Sequence, residues 1–452
     1  MTSARTETDV VVVGAGIAGL GAAAALTREG RDVVVLEARD RVGGRTENVE
    51  IGGQPNEIGG QWVAPYQSEL KGLLDELGIE LFPSHRTGEH VYVGPKQAVT
   101  RYTGHDAPLS DAAGRSYAAA VERLDELAAQ LDPEAPWEHP EALELDSITY
   151  EAWLRQEVDD EAARDLLRSF LAGGFMTKPA QSFSLLAGLW VIAGAGSVDN
   201  LFEPDLCLAY RVVGGSQLIA LRLAEGLGDR VRLGAPVRDC RWTGGRVTVE
   251  AGATSVDARA TILAIPPNLV SGIRFDPPLP PWRYRLEQHL SQGAVIKCLA
   301  VYETPFWRDE GLSGEGFAPY ELVREVYDNT PPSGAPGVLC TFLAGESAEH
   351  AGRLGADERR RIVTDGYAAF FGEAARDAVD YVERDWSAEE WTRGAYCASF
   401  DVGGLSRLGP DLRRPVGPIH WACTDISGVG NMHMEGALRS GRAAAAEALA
   451  AL

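Results

Sequence analysis

The stretch that most restricts this chain is residues 9–45, DVVVVGAGIAGLGAAAALTREGRDVVVLEARDRVGGR. An apolar run, Val10 to Val13, feeds into Gly14-Ala15-Gly16-Ile17-Ala18-Gly19. An alanine-rich segment follows to about Arg28, and a second apolar run, Val33 to Leu36, ends on Glu37. This reads as a complete strand, turn, helix and strand unit. Gly14 permits the tight turn, Gly16 lets backbone approach a pyrophosphate, and Gly19 lets helix pack closely on strand. The unpaired N–H groups at the helix start face the anion. Glu37 stands where an acid accepts the hydroxyls of an adenosine ribose. A lone GxGxxG is weak, since glycine-rich turns are common, but here both strands, the helix and an acid about 20 residues on accompany it.

A chain of 452 residues is too long for one ordinary core, because single cores stop growing near ~250–300 residues. Two connected domains are expected. A formal charge of −23 argues against nucleic acid and anionic membrane surfaces, which call for basic patches. The opening MTSARTET is polar and leads straight into the first strand, and no run of ~18 apolar residues is present, so a cytoplasmic protein without a membrane span is expected. Cys207, Cys240, Cys298, Cys340, Cys397 and Cys423 are scattered, with no CxxC pair and no histidine at metal spacing. They read as free thiols in a protein without a metal.

Beyond Glu37, Val42-Gly43-Gly44-Arg45 forms a second glycine turn, too close to the first to belong elsewhere, and Gly59-Gly60-Gln61-Trp62 repeats the device beside an indole. A helix from Gln67 to Leu77 ends at Gly78. Residues 85–209 read as a mostly helical insertion, with helices over 116–131 and 150–175. A helix then runs from about 217 to 226, and strand composition returns over 231–233, 237–240, 246–250 and 260–265. Residues 285–384 form a second insertion, with strands over 295–302 and 338–343 and a helix over 357–371. A strand over 419–422, a turn at Cys423-Thr424-Asp425 and a helix over 434–449 complete the chain.

Glycine turns at both ends of one chain call for a long cofactor. FAD has an adenosine end for Glu37 and an isoalloxazine end for the C-terminal turn, and the lack of a second GxGxxG leaves no nicotinamide site. Lys297, one of only four lysines, interrupts the apolar run of residues 294–300. It either points into a covered site, where its charge must be compensated or lost, or faces outward on a half-exposed strand. Periodicity leaves both open.

The motifs VVVGAGIAGL, LEARDRVGGRT, IGGQWVAP, DPEAPW, RVVGGSQ, AIPP, FDPPLP, VIKC followed by PFW, RGAY, RRPVGPIHWA and MEGALRSG run nearly end to end. In this order they resemble the flavin-containing amine oxidases of the monoamine oxidase family. The resemblance implies an α/β chain, two-domain α+β overall. It pairs a Rossmann-type FAD-binding domain of the glutathione-reductase-like kind (1–84, 210–284 and 385–452) with a discontinuous substrate domain of mixed sheet and helices (85–209 and 285–384).

It further implies that Gly14, Gly16, Ala18 and Gly19, with Ile17 between them, hold the pyrophosphate, and Glu37 beside Ala38 the ribose. Arg39 and Arg45, with Gly44, would serve the phosphate and ribityl region, and Val237 the adenine. Gly59, Gly60, Gln61 and Trp62 would line the flavin, Trp386 would pack near it, and Asp425 and Met434 would meet the ribityl chain and pyrimidine edge. Lys297 matches the family lysine that holds a water at flavin N5. Tyr396 matches one wall of an aromatic cage through which a neutral amine reaches the flavin, and Gly174, Phe175, Arg324 and Tyr327 fall at pocket positions. Arg324, flanked by Glu321 and Glu325, reads more readily as a surface arginine than as a partner for a substrate carboxylate.

Three departures stand out. Ala395 replaces the cysteine that carries a covalent flavin in some members, and strand alternation points Cys397 away from where residue 396 points, so non-covalent FAD is expected. His433 replaces the second cage aromatic. Asp425 and Cys423 replace a glutamate and a glycine. The implied reaction is oxidation of an amine C–N bond to an imine by hydride transfer to flavin N5, with O2 reduced to hydrogen peroxide. The alternatives are a tailoring oxidase acting on an amine or amide within a larger natural product, an L-amino acid oxidase, and a catalytically silent flavin protein. A homodimer is the family expectation.

Overall fold

In a computed structural model, residues 4–104 and 107–452 are described. The first apolar runs pair side by side in a five-stranded parallel sheet ordered Val231–Arg232, Val33–Leu36, Val10–Val13, Ala260–Leu263 and Ile419–Trp421. Every residue of Val10–Val13, Val33–Leu36 and Ala260–Leu263 is buried, so these strands are continuously apolar rather than alternating. The helix Ile17–Arg28 follows the first strand, and the C-terminal helix Met434–Ala451 lies against it. The crossing is close because Gly441 rests on the Ala18 carbonyl, where a Cβ would collide. Gly14 has φ +104°, and a Cβ there would come within 2.5 Å of the Ala264 oxygen. The tight turn therefore demands glycine.

A second sheet, ordered Ala4–Glu7, Thr254–Ala258, Arg246–Ala251, Asp239–Thr243 and Arg274–Asp276, stands beside the first. Three of its strands, Ala4–Glu7, Thr254–Ala258 and Arg274–Asp276, went unread in the sequence. Ala4–Glu7 lies in the polar opening stretch, whose Met1–Ser3 lie outside the described residues, and it pairs parallel with Thr254–Ala258. Val237 precedes the strand it was expected to join, which starts at Asp239.

A seven-stranded sheet forms the other half of this mixed α/β, two-domain fold. Its order is Asp380–Asp385, Val295–Tyr302, Gly337–Ala344, Glu325–Asp328, Leu312–Phe317, Glu89–Val93 and Val99–Tyr102. The last two strands come from the segment read as mostly helical. Val99–Tyr102 is the edge strand, with Val99 exposed, and lacks the apolar alternation that marks a half-buried strand, whereas Glu89–Val93 lies inside the sheet with Val91, Tyr92 and Val93 buried. The expected helix over 150–175 is broken into Tyr150–Glu157, Glu161–Leu167 and a wider π-type turn over Arg168–Met176. The break falls where Asp160 caps the second piece, accepting from the Ala162 and Ala163 amides at 2.9 and 3.1 Å. The six cysteines are free thiols. Among the described residues no helix is long and apolar enough to cross a membrane.

Candidate active site

One cavity of about 360 Å³ runs from the Gly14–Ala18 turn and Glu37 to Lys297, Tyr396 and His433. At its first end the two glycine turns meet: Gly16 and Gly43 form a bridge, and a Cβ on Gly44 would sit 3.4 Å from the Gly16 Cα. The second turn folds back onto the first, as its spacing suggests. Glu37, 4% exposed, accepts from the Ala15 amide at 2.7 Å and the Arg39 amide at 2.9 Å. Its carboxylate is thereby fixed at the carboxyl end of its strand, beside the start of the helix Ile17–Arg28.

Arg45 reaches across the middle of the cavity. Its Nη1 donates to the Tyr396 carbonyl at 2.6 Å and to Asp425 Oδ1 at 3.2 Å, and its Nη2 donates to Asp425 Oδ2 at 2.5 Å. Burial works against both charges, yet the pairing wins. Arg45 is held well above the usual arginine range and Asp425 below the usual carboxylate range. Asp425 also accepts from the Ala398 amide at 2.5 Å. It does not line the cavity; it sits behind Arg45 and anchors it. Cys397 is buried, with Sγ 3.7 Å from Arg45 Nη1, away from the cavity Tyr396 lines.

Lys297 resolves the ambiguity of its apolar run. The strand Val295–Tyr302 is buried on both faces: Ile296, Cys298 and Ala300 pack into one core, and Val295, Leu299 and Val301 into another with Trp386 and Phe342. Lys297 shares the second face, which turns toward the cavity. It is 1% exposed; its Nζ donates to the Gly59 carbonyl at 2.9 Å and to Gln61 Oε1, with the Phe342 ring centroid 5.2 Å away. Burial lowers its pKa from the ordinary lysine value.

Tyr396 and His433 both line this end. The Tyr396 ring stands edge-on to Phe342 at 5.9 Å, and the His433 ring lies 6.2 Å from Phe175 at 43°. His433 immediately precedes the helix Met434–Ala451, and its Nδ1 lies 2.8 Å from the Asn431 carbonyl. A carbonyl only accepts, so Nδ1 carries the proton and Nε2 is the acceptor of the neutral ring. Burial lowers the His433 pKa, which keeps that neutral form.

Beyond the ring of Tyr396 the cavity is bounded by paired strands. Phe317 stands opposite Glu325 in register, and Tyr327 follows Glu325 by two, on the same face. The Tyr327 hydroxyl donates to Glu325 Oε2 at 3.0 Å, and burial pushes the Glu325 carboxyl up to about 7.

The predicted residues Gly14, Gly16, Ile17, Ala18, Glu37, Ala38, Arg39, Gly44, Arg45, Gly59, Gly60, Gln61, Trp62, Val237, Trp386, Met434, Gly174, Phe175 and Tyr327 all line the cavity with Lys297, Tyr396 and His433. Three do not. Gly19 packs beneath the turn, where a Cβ would strike the Gly14 carbonyl; Asp425 acts through Arg45; and Arg324 turns away, its guanidinium beside Gly173 and in the field of Glu346. Glu325, Phe342 and Trp391 were missed. Glu325 was legible as the same-face partner of Tyr327, whereas Phe342 enters only through its cross-strand register with Lys297.

A cleft with a dinucleotide cradle at one end and a covered aromatic chamber at the other fits FAD, with a small substrate at the far end. The cradle is built for close approach, as Gly14, Gly16 and Gly44 show, and the chamber is lined by rings. These features define a flavin-dependent amine oxidoreductase. The chain belongs to the flavin containing amine oxidoreductase family, whose model matches residues 17–449. It is 48% identical to putrescine oxidase of Kocuria rosea over 100% of this chain and 98% of that one, and 34% identical to amine oxidase [flavin-containing] B of Canis lupus familiaris over 98% and 86%. A solved structure of wild-type putrescine oxidase bound to putrescine superposes with a TM-score of 0.97 at 48% identity, covering 99% of this chain and 100% of that one. The protein is thus a flavin-dependent amine oxidase acting on C–N bonds, with FAD as cofactor.

Proposed function

We propose that the chamber oxidises one end of a short aliphatic diamine while Glu325 receives the ammonium at the other. The observation that carries this reading is the Glu325 carboxyl among the rings of the chamber, with Phe317 opposite it and the Tyr327 hydroxyl on one of its oxygens, while the other carboxylate lining this end, Glu315, is already paired with Arg86. Burial, helped by the nearby Glu315 charge, pushes that carboxyl up to about 7, and a cation brought beside it restores the charged form. The relative solved with putrescine, itself such a diamine, supports the reading.

FAD supplies the two-electron acceptor for conversion of the amine to an imine, and O2 regenerates it with release of hydrogen peroxide. The side chains do the rest. Tyr396 and His433 flank the amine, and the low-dielectric surroundings favour its neutral form at the reacting end. His433 Nε2 accepts a hydrogen bond there. Lys297, held by Gly59 and Gln61, would supply a proton donor to the bound cofactor. Glu37 and the Gly14–Ala18 turn would hold the adenosine and pyrophosphate in a Rossmann-type, glutathione-reductase-like domain of residues 1–84, 210–284 and 385–452. With Ala395 where a thiol would be needed, the cofactor is held non-covalently, and acid precipitation should release it into the supernatant.

The test is anaerobic reduction of the bound flavin, followed by loss of its visible absorbance. 1,4-Diaminobutane should bleach it, and butylamine, equal in length but lacking the second charge, should do so about a hundredfold less efficiently. Glu325→Gln should erase that preference. Equal bleaching by both amines would remove Glu325 from recognition.

A further inference from the structure

The cavity does not stop at Glu37. Past the ribose-binding carboxylate it continues between Ala235, Val237, Leu269 and Ile273 on one side and residues 390–393 on the other. Residues 234–235 run alongside 37–39, the Gly234 amide donating to the Arg39 carbonyl and the Ala235 amide to the Glu37 carbonyl, each at 2.8 Å. This extension is therefore where the flat base attached to a ribose on Glu37 would lie. Its first wall is aliphatic. Its second carries Trp391, half-buried, with the Arg238 guanidinium 4.7 Å from the ring centroid and bridged to Glu390 at 3.5 Å.

The segment that presents Trp391 is fastened on both sides. Arg39 Nη2 donates to Thr392 Oγ1 at 2.6 Å, and Asn268 Nδ2 donates to the Thr392 carbonyl at 3.0 Å. Arg39 and Arg384 both pair with Glu389, at 3.4 and 3.0 Å. Thr392 is 1% exposed, whereas Trp391 beside it lines the cavity. A large ring held rigidly at the edge of a cofactor cleft, with a cation over one face, offers its remaining surface to a π system.

We infer that Trp391, backed by Arg238, is a cofactor-binding residue that stacks on the adenine of FAD and closes that end of the cleft. The same segment runs on to Ala395 and Tyr396, so one stretch of chain borders both ends of the cofactor.

The experiment measures release of FAD from the holoenzyme after dilution, followed by the rise in free-flavin fluorescence, with the melting temperature of each apoprotein recorded alongside. Trp391→Ala should release FAD about tenfold faster or more, since base stacking on an aromatic ring is typically worth that much. Trp391→Phe, which keeps a flat ring, should stay within about threefold of the unaltered protein. Arg238→Ala, a change at a half-exposed side chain that leaves the core untouched, should speed release by about threefold and stands in should Trp391→Ala fail to fold. A Trp391→Ala release rate equal to that of the unaltered protein would overturn the assignment. So would a Trp391→Phe rate as fast as the alanine variant's with both apoproteins melting together.

Discussion

Arg45 and Asp425, 380 residues apart in the chain, form a two-pronged ion pair with Nη2–Oδ2 at 2.5 Å and Nη1–Oδ1 at 3.2 Å. The Asp425 side chain has no exposed surface, and from the same guanidinium a further hydrogen bond reaches the Tyr396 carbonyl. The pair thus ties the second glycine turn, the cage segment and the C-terminal turn to one point. Asp425→Ala would leave the Arg45 charge buried without a counterion. Breaking such a pair costs about 3–5 kcal/mol, so the variant should melt well below the unaltered protein and lose FAD on gel filtration. Melting followed by circular dichroism and the ratio of flavin to protein absorbance check both. Because the native Asp425 pKa lies below its ordinary 3.8, its contribution is present above that value and lost only under stronger acid. FAD retention should therefore be level between about pH 5 and 7 as far as this pair is concerned.

Lys297 carries the second expectation. Methionine matches the lysine stem but donates nothing, so Lys297→Met leaves the Gly59 carbonyl and Gln61 Oε1 without the donor they now share. The cofactor contacts at Glu37 and Arg45 are untouched. FAD should stay bound while flavin reduction or reoxidation slows by about a hundredfold, the usual scale for loss of a positioned proton donor. Stopped-flow absorbance in the presence and absence of oxygen separates the two half-reactions. Unchanged rates in both would remove Lys297 from the chemistry.

The parts of this molecule that were legible in sequence are those specified locally. The Gly14–Gly19 turn, the strands beside it and the strand Val295–Tyr302 follow from glycine spacing and continuous apolar runs, and their bounds agree closely with the structure. What was not legible depends on register between distant strands. Phe342 faces Lys297 because Gly337–Ala344 pairs with Val295–Tyr302 residue for residue, and no feature of either strand announces that offset. Arg324, a pocket position by resemblance but a surface arginine by its acidic neighbours, is the converse case. It neighbours Glu325 in sequence, but alternation sends the two side chains to opposite faces, so the arginine leaves the cavity that the glutamate enters. Edge strands such as Val99–Tyr102, exposed on both sides of their pleat, carry no apolar signal to read.

His433 gives the third prediction. Its ring packs against Phe175, its Nδ1 proton is committed to the Asn431 carbonyl, and desolvation lowers its pKa below the ordinary 6.5. The ring therefore stays neutral through the working range and adds no ionisation above about pH 6.5. His433→Phe should keep the flat wall while losing the Nε2 acceptor on the cavity side and the Nδ1 bond to the Asn431 carbonyl. The expected result is a fall in kcat/KM of about tenfold, the worth of one hydrogen bond in a covered site, with the shape of the pH profile unchanged. A profile that loses an ionisation in this variant would show that His433 does titrate.

Glu325 gives the last and most direct test, because its titration and its proposed role have opposite signatures in two substrates. Its carboxyl sits at about 7 in the free protein. Below that value it is protonated and neutral; above it the carboxylate forms and attracts a distal ammonium, which stays charged to about pH 10. The kcat/KM for 1,4-diaminobutane relative to that for butylamine should thus climb as pH rises through 7 and level off above 8. The reacting amine must be neutral in both substrates, so the steep rise from its own deprotonation cancels in the ratio. Glu325→Gln, neutral at every pH, should give a ratio that is flat and about a hundredfold lower at the plateau. Tyr327→Phe removes the hydroxyl that stabilises the carboxylate at 3.0 Å. The Glu325 pKa should then move further upward, and the climb in the ratio should shift to higher pH while its plateau stays. A ratio independent of pH in the unaltered protein would mean that the second charge of the diamine is met somewhere other than Glu325.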